Sequence, residues 1–196
     1  VAEEQVGDLA FHFLAGDFFQ NNPSALPAFT QHVSDEASAG EAKFLVDAYC
    51  GSGLFGLCAA SRFDQVAGVE ISATSADWAR QNARANQIEN ATFHAGSAEE
   101  IFEQIDFPPA QTAVIIDPPR KGCDQGFLAQ LFDLNPARVV YVSCNPATLA
   151  RDMGLMKAVY RVAEIQPIDM FPHTYHIEVV ARLEKKSGFK TPSNVR

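Results

Sequence analysis

The sequence predicts an α/β protein with a doubly wound, mostly parallel sheet and a C-terminal antiparallel edge hairpin, and three observations lead to this prediction. Nearly continuous apolar runs of strand length recur along the chain, segments of helical character separate them, and a glycine-rich turn follows the first run. Such runs are typical of parallel strands covered on both faces, and their alternation with helices is typical of doubly wound sheets. A chain of 196 residues is long enough for one such domain.

The apolar runs predict the parallel strands in chain order. They are FLVDAY (44–49), QVAGVE (65–70), ATFHAG (91–96), TAVIID (112–117) and RVVYVS (138–143). The segments beside them predict helices, namely FGLCAASRF (55–63), SATSADWARQNARANQ (72–87), SAEEIFEQI (97–105) and QGFLAQLFDL (125–134). A further helix is expected to begin at Pro146, because Asn145 fits a capping residue followed by proline at the first helical position.

The end of the chain breaks the alternation of strands and helices. RVAEIQPIDMF (161–171) and HIEVVARL (176–183) predict two strands, and the PHTY segment between them leaves no room for a helix. We therefore expect an antiparallel hairpin at one edge of the sheet. The folded domain is expected to span residues 1–183, and residues 184–196 are expected to form a flexible tail.

Composition and charge narrow the class of protein. With 47% hydrophobic and 20% charged residues the chain has a globular composition, and no apolar stretch approaches the length of a membrane span. The net charge of −9 by itself argues against nucleic-acid binding. However, residues 1–119 hold four Lys/Arg and 17 Asp/Glu, whereas residues 120–196 hold eleven and seven. The second half therefore either carries only a basic tail or faces an anionic ligand.

The cysteines indicate a reducing compartment. Cys50, Cys58, Cys123 and Cys144 form no CxxC pair and do not cluster with the five histidines, so we expect no zinc site and no other metal. The sequence shows neither a secretion signal nor a disulfide framework, and we expect reduced thiols and an intracellular protein. A monomer is the default expectation for a domain of this size.

The turn after the first predicted strand has the pattern of a nucleotide-cofactor site. Gly51, Gly53 and Gly56 satisfy GxGxxG, and Glu70 ends the next strand 19 residues after Gly51. Glycines let the backbone approach a ligand, and a carboxylate at the second strand end accepts hydrogen bonds from ribose hydroxyls. The pattern alone does not separate a dinucleotide from S-adenosylmethionine. Asp47 favours S-adenosylmethionine, because this cofactor has an ammonium group to satisfy; a turn that serves only strand–helix packing is the plainer alternative.

A proline corner follows the run at 112–117. Asp117 precedes Pro118-Pro119-Arg120, and two prolines restrict the backbone as it leaves the sheet. Open α/β sheets bind ligands along this edge, so we expect the Asp117 carboxylate to be held at a cleft. Similar (D/N)PP corners contact the base in methyltransferases that act on planar nitrogen heterocycles, whereas a stiff loop with a solvated aspartate is the alternative. Arg120 either contacts a phosphate or faces water.

Cys144 is expected at the same sheet edge, just before the helix that begins at Pro146. Unpaired amides at a helix start favour a thiolate, so this position predicts a lowered cysteine pKa and a nucleophile. A buried, inert cysteine is the usual interpretation of a single thiol. The glycine loop and the Asp117 corner at the same edge favour the nucleophile instead.

Four segments together carry a resemblance to a known family. DAYCGSG (47–53), IIDPPRKG (115–122), YVSCNPATLARD (141–152) and FPHTYHIEVVARL (171–183) resemble the S-adenosylmethionine-dependent RNA (uracil-5)-methyltransferase family, in the family's order. GDFFQNN (16–22) resembles the segment upstream of that family's glycine loop. The resemblance implies a Rossmann-like methyltransferase fold, S-adenosylmethionine as cofactor and an RNA substrate. The variants FFQNN and PRKGCD resemble the tRNA enzymes, so tRNA is the expected substrate and ribosomal RNA the alternative.

The resemblance also implies roles for individual residues. Cys144 would be the nucleophile and Glu178 the general base, with its carboxyl pKa raised by a mostly apolar strand. Phe18, Phe19 and Phe171 are candidate stacking rings for an unstacked base, although core packing suits at least two of them better. The implied cofactor contacts are Gln20, Tyr49, Gly51, Gly53, Glu70 and Asp117, and the implied substrate contacts are Asp117 and Arg120. A family asparagine after the second loop glycine is Leu54 here, so one cofactor contact has no counterpart.

Members of this family carry a further N-terminal region, often a small β-barrel or another RNA-binding module. We therefore expect this chain to be the catalytic domain alone, with weak and salt-sensitive RNA binding. Three other functions stay open. An NAD-type oxidoreductase would explain the glycine loop and Glu70 but neither Asp117 nor Cys144. A methyltransferase acting on exocyclic amines would use Asp117-Pro118-Pro119 and need no cysteine, and an RNA-binding module would bind without turnover.

Overall fold

The computed structural model describes residues 1–16, 19–20, 22–96, 102 and 105–186. Its strands are β1 (Ala2–Val6), β2 (Leu9–Phe13), β3 (Phe44–Ala48), β4 (Gln65–Glu70), β5 (Ala91–Ala95), β6 (Thr112–Ile116), β7 (Arg138–Ser143), β8 (Tyr160–Ile168) and β9 (Glu178–Lys185). Its α-helices are α1 (Leu26–Ser38), α2 (Leu54–Ala59), α3 (Ala73–Ala85), α4 (Gln125–Leu134) and α5 (Pro146–Met156). Among the described residues, no helix is long and apolar enough to cross a membrane.

Seven strands form one sheet in the order β5-β4-β3-β6-β7-β9-β8. The strands from β3 to β7 are parallel, and β9 runs antiparallel to both β7 and β8. The predicted doubly wound sheet with an antiparallel edge hairpin is therefore confirmed. In this order β9 lies inside the sheet and β8 lies at its edge. Accordingly, β9 is mostly buried, whereas β8 is mostly exposed.

The sheet is covered on both faces, as the continuous apolar runs predict. One core cluster joins α1, α2, α3 and the β1–β2 hairpin to one face, and it contains Phe11, Phe29 and Leu45. The other cluster joins α4 and α5 to the opposite face, and it contains Val46 and Phe127. Leu45 and Val46 are neighbours on β3 and belong to different clusters, as expected where successive side chains point to opposite faces of a sheet.

Several predicted boundaries differ from the structure. The segment predicted as one helix over 55–63 forms α2 and then a short 3-10 turn at Ala60–Arg62. The expected tail begins too early, because β9 continues to Lys185, which pairs with Tyr160, and the Lys186 amide donates to the Val159 carbonyl. Most of the helix expected at 97–105 lies outside the described residues, as do 187–196 of the tail.

The β1–β2 hairpin and α1 were not among the predicted elements. Burial alternates along β1, β2 has one buried residue at Phe11, and the turn between them contains Gly7, whose φ is 58°. α1 has a proline near its start, as is common at the first turn of a helix. Its buried residues recur with a helical period, at Leu26, Phe29, Val33 and Ala37. Both signals are present in the sequence, but the hairpin is short and lies outside the alternation that defines the sheet.

The strand order places a ligand site at one edge of the sheet. β3 lies between β4 and β6, so the chain winds in opposite directions on its two sides. In open α/β sheets, ligands bind at the carboxyl ends of the strands beside such a switch point. The glycine loop follows β3 and Asp117 follows β6, which brings both predicted motifs to this edge.

Candidate active site

A cleft of about 1140 Å³ opens at the carboxyl ends of the strands. It is lined by Gln20, Tyr49, Gly51, Val69, Glu70, Ile71, Ser72, Ser75, Gly96, Asp117, Pro118, Pro119, Arg120, Lys121, Gly122, Asp124, Cys144, Phe171, His176 and Glu178. Of the nine residues implied by the family resemblance, Gly53 alone is absent from this lining. Segments far apart in sequence thus meet at one site.

The loop after β3 approaches the cleft through its backbone. Tyr49 and Gly51 have φ values of 63° and 53°, a left-handed conformation in which glycine is unstrained. The Gly51 amide donates to Glu70 Oε2 at 3.0 Å, and the Ser72 amide donates to Glu70 Oε1 at 2.8 Å. Glu70 therefore holds the glycine loop and the start of α3 together while it lines the cleft, at the strand end where a ribose-binding carboxylate is expected.

Two residues of the predicted cofactor motif serve the packing beneath the loop. A Cβ at Gly53 would lie 3.1–3.2 Å from side-chain atoms of Leu57, Ala79 and Phe93, so this glycine permits close packing. Asp47, which favours S-adenosylmethionine in the sequence because of the cofactor's ammonium group, is not among the residues that line the cleft, and its Oδ1 has no hydrogen-bond partner among the described residues. Its side chain is fully buried, and its Oδ2 accepts a hydrogen bond from the Gly56 amide at 2.7 Å.

Gln20 offers an unsatisfied polar group to the cleft. The residue is only 4% exposed, and its Oε1 has no hydrogen-bond partner among the described residues. A buried amide oxygen without a partner costs free energy, so a ligand with a hydrogen-bond donor would satisfy it. Together with the backbone of Gly51 and the carboxylate of Glu70, it gives this part of the cleft the donor and acceptor groups that suit a nucleoside cofactor carrying an ammonium group.

The corner after β6 is held by the start of α5. Asn145 caps α5 by accepting from the Ala147 amide, as predicted, and its Nδ2 donates to the Arg120 carbonyl at 3.2 Å. Thr148 Oγ1 donates to the same carbonyl at 3.3 Å. The segment that carries Asp117 and Arg120 is thereby fastened to the segment that carries Cys144.

The charges around Cys144 do not favour a thiolate in the free protein. Burial, followed by the charges of Glu178 and Asp117, raises the pKa of the Cys144 thiol. The charge of Arg120 and a backbone hydrogen bond at Cys144 lower this pKa but do not outweigh the other effects. The predicted lowering of the Cys144 pKa is therefore wrong in sign, because two carboxylates and burial oppose the helix start.

Glu178 has the raised pKa that its apolar strand predicts. It is the first residue of β9, is 2% exposed, and has an Oε2 without a hydrogen-bond partner among the described residues. Burial raises the pKa of Glu178 to about 7, against a smaller lowering by the charge of Arg120. Burial and then the charges of Glu178 and Asp47 raise the pKa of Asp117 well above its usual range. A thiol and two carboxyls with raised pKa values thus share one cleft.

Of the aromatic and histidine side chains near the site, some pack in the core and others line the cleft. Phe19 is buried and stacks on Phe13 with ring centroids 4.3 Å apart, whereas Phe171 lines the cleft. Phe18 lies outside the described residues. His176 was not among the predicted site residues, yet it lines the cleft with its Nδ1 2.9 Å from Arg120 Nη2. Among the described residues, no group of three or more His, Cys, Asp or Glu is arranged to hold a metal ion.

The fold and the cleft together define a class of protein, the Rossmann-like methyltransferases. The features of this chain that indicate the class are the seven-stranded sheet, the antiparallel β9 between β7 and β8, and the glycine loop at the switch point. An rRNA methylase from Streptococcus thermophilus superposes with a TM-score of 0.62 over 86% of this chain at 14% identity, a likeness of fold alone.

The family model described as tRNA (Uracil-5-)-methyltransferase matches residues 4–186, and the chain belongs to this family. Similar proteins include the tRNA (uracil(54)-C(5))-methyltransferases of Schizosaccharomyces pombe, 47% identical over 94% of this chain, and Saccharomyces cerevisiae, 46% identical over 94%. The chain covers 37% and 31% of the lengths of these two relatives.

A solved structure supports the same assignment. The tRNA (uracil-54, C5)-methyltransferase of Pyrococcus abyssi, determined in complex with S-adenosyl-L-homocysteine, superposes with a TM-score of 0.80 at 35% identity. The match covers 93% of this chain and 44% of that chain. This chain therefore covers less than half the length of each of these three tRNA (uracil-54, C5)-methyltransferases.

Proposed function

We propose that this chain transfers a methyl group from S-adenosylmethionine to carbon 5 of a uridine in tRNA, with Cys144 as nucleophile and Glu178 as general base. The observation that carries the proposal is the meeting of Asp117, Cys144 and Glu178, from the ends of three strands, in the cleft of the glycine loop. The names of the relatives point to uridine 54 as the target.

The cofactor would be held by the part of the cleft that follows β3 and β4. The Gly51 backbone, the Glu70 carboxylate and the orphaned Gln20 Oε1 supply its polar contacts, and Tyr49 supplies a ring beside them. When bound, S-adenosylmethionine supplies an electrophilic methyl group on a positively charged sulfur. The net negative charge of residues 1–119 suits a cationic ligand on this side.

Cys144 is needed because carbon 5 of uracil is too weak a nucleophile to take the methyl group unaided. The thiol transfers its proton to Asp117 in its ionised form, whose charge acts on this thiol and which the raised pKa of the carboxyl makes a stronger base. The thiolate sulfur then bonds to carbon 6, and the displaced electron pair makes carbon 5 nucleophilic. The target base has to leave the RNA stack to reach this sulfur.

Glu178 completes the reaction after methyl transfer. Carbon 5 then carries both a methyl group and a hydrogen, and the Glu178 carboxylate removes this hydrogen as a proton. The electron pair of the broken C–H bond re-forms the double bond between carbons 5 and 6, and Cys144 leaves as a thiolate that recovers its proton from Asp117. A pKa of about 7 suits a base that acts near neutral pH.

The test is incubation with 5-fluorouridine-substituted tRNA and S-adenosylmethionine, followed by denaturing electrophoresis. Fluorine does not leave as a proton, so methylation should leave the RNA bonded to the protein. We expect a covalent band with the wild type and none with Cys144→Ala, whereas Cys58→Ala should keep the band, since Cys58 is not among the residues that line the cleft.

Other outcomes would separate the alternatives. A Cys144→Ala variant that still methylates RNA would contradict the nucleophile and favour an amine-directed methyltransferase. Calorimetric binding of S-adenosylhomocysteine without methyl transfer to any tRNA would favour a binding module without turnover. Absence of S-adenosylhomocysteine binding would contradict the methyltransferase function itself.

A further inference from the structure

Two asparagines, Asn82 in α3 and Asn86 at its C-terminal cap, complete the edge of the N-terminal hairpin. The amide and carbonyl of Ala10 bond to Asn86 Oδ1 and Nδ2 at 2.9 and 2.8 Å. The amide and carbonyl of His12 bond to Asn82 Oδ1 and Nδ2 at 2.8 and 3.0 Å. Side chains four apart on a helix are spaced much like residues two apart on a strand, so the two carboxamides act as a substitute third strand for β2.

Asn82 differs from Asn86 in a further contact. Its Nδ2 also donates to the Ser52 carbonyl at 3.0 Å, and Ser52 lies between Gly51 and Gly53 in the glycine loop. Asn82 is fully buried, whereas Asn86 is half-buried. One nitrogen of Asn82 therefore bonds both to the hairpin and to the loop that lines the cleft.

The hairpin also contacts the residue that precedes a residue of the cleft. Phe13, the last residue of β2, stacks on Phe19 with an interplanar angle of 3°, and Gln20 follows Phe19 with its buried Oε1 unpartnered. The position of the docked hairpin thus bears on Gln20 through the stacked rings of Phe13 and Phe19, and on the glycine loop through Asn82. Gln20 and the glycine loop both belong to the part of the cleft assigned above to the cofactor.

We infer that Asn82 is a positioning residue that couples docking of the hairpin, residues 2–13, to cofactor binding at the glycine loop. The inference rests on the proposed use of S-adenosylmethionine. Asn82 acts through Ser52 and His12 and touches neither reactant. Because coupling between two sites is reciprocal, the bound cofactor stabilises the docked hairpin as much as the docked hairpin favours the cofactor.

The first test needs no variant. Amide hydrogen exchange of the wild-type chain is measured with and without saturating S-adenosylhomocysteine. We expect the ligand to slow exchange at the amides of Ala10 and His12, which do not line the cleft, by about five-fold or more. Unchanged exchange at both amides in a chain that binds the ligand would overturn the coupling.

The second test compares Asn82→Ala with its matched control Asn86→Ala. Both variants lose hydrogen bonds to β2 and should speed exchange in the hairpin, but only Asn82→Ala loses the bond to Ser52. We expect Asn82→Ala to raise the calorimetric Kd for S-adenosylhomocysteine by about five-fold or more, and Asn86→Ala to leave it within about two-fold. Circular dichroism establishes that both variants are folded.

The outcomes distinguish this inference from the proposed function. Equal ligand affinity in Asn82→Ala and wild type, or an equal loss in both variants, would overturn the inference while the wild type still binds. Failure of the wild type to bind S-adenosylhomocysteine would overturn the proposed function and the inference together. Should Asn82→Ala fail to fold, the exchange measurement on the wild type decides the question alone.

Discussion

At the scale of single residues, negatively and positively charged groups of the cleft have opposite effects on the pKa of the Cys144 thiol. Burial and the charges of Glu178 and Asp117 favour the neutral thiol of Cys144, and the charge of Arg120 favours the thiolate. In the proposed mechanism, Cys144 is therefore held in its protonated form until a carboxylate takes the proton. Such an arrangement protects an accessible cysteine from adventitious reaction, because the thiolate is the reactive form.

This balance predicts opposite effects for two substitutions. Glu178→Gln removes a negative charge and should lower the pKa of Cys144, whereas Arg120→Ala removes a positive charge and should raise it. At a fixed pH near 8, about where thiols begin to ionise, iodoacetamide should alkylate Cys144 faster in the first variant and slower in the second. Mass spectrometry of the Cys144 peptide measures both rates, and equal rates in the two variants would contradict this account.

If Glu178 is the proposed base, its loss should also leave a chemical signature on an ordinary substrate. In Glu178→Gln the hydrogen on carbon 5 is not removed, so the bond between Cys144 and carbon 6 should persist with unmodified tRNA. We expect turnover to fall by about 10²–10⁴-fold and a covalent complex to accumulate on denaturing gels. Glu164→Gln, which changes an exposed carboxyl on β8, serves as the control and should retain turnover.

At the scale of elements, α5 fixes the loop that follows β6. Asp152 of α5 is fully buried, and its Oδ2 accepts hydrogen bonds from the Cys123 amide at 2.9 Å and from the Tyr141 hydroxyl at 2.7 Å. Arg151 donates to the Lys121 carbonyl at 2.8 Å. A Cβ at Gly122 would lie 2.5 Å from both the Arg151 guanidinium and the Asp152 carboxylate, so this glycine admits the contact.

Asp152→Asn should therefore destabilise both the loop that follows β6 and the folded protein as a whole. The amide cannot accept from every donor that now surrounds the carboxylate, which leaves buried donors unsatisfied. We expect the free energy of unfolding to fall by about 1–3 kcal/mol, measured by urea denaturation, together with a lower kcat for methyl transfer. Asp133→Asn changes an exposed carboxyl on α4 and should leave both quantities unchanged; equal effects of the two variants would argue against the role of Asp152.

At the scale of the whole molecule, a buried carboxyl makes stability depend on pH. Burial beneath the glycine loop raises the pKa of Asp47 from 3.8 to about 7, against a lowering by the Gly56 hydrogen bond. Between these two values the folded protein holds a proton that the unfolded chain releases. The contribution of Asp47 is therefore fully present below the lower value and is lost as the pH rises through the upper one.

Asp47→Asn should flatten this dependence, because the amide does not titrate. The free energy of unfolding of the wild type should decline more steeply than that of the variant between about pH 4 and about pH 7. Urea denaturation at several pH values across this window measures both slopes. Asp64→Asn, at an exposed carboxyl, should reproduce the wild-type slope; identical slopes for wild type and Asp47→Asn would contradict the raised pKa.

The sequence by itself determined the features that depend on neighbouring residues. Continuous apolar runs set the strands of the parallel sheet, and Asn145 with Pro146 set the start of α5. Two apolar runs with no helix between them set the final hairpin, although its connection, residues 169–177, is longer than the predicted PHTY segment. Motifs at strand ends also placed Glu70, Asp117 and Cys144 at a common edge, because the topology of a parallel sheet brings the carboxyl ends of its strands together. These signals are local, and tertiary packing reinforces them.

Only the tertiary structure decided the burial and the pKa of individual side chains, because these depend on segments that are distant in the sequence. Whether Asp47 faces a ligand or the core depends on the packing of α2 over β3, and the pKa of Cys144 depends on carboxyls from β9 and the loop after β6. The bond from Asn82 to Ser52 likewise joins residues that are 30 apart in the chain. Burial and charge act through space, so residue order alone does not determine their sign.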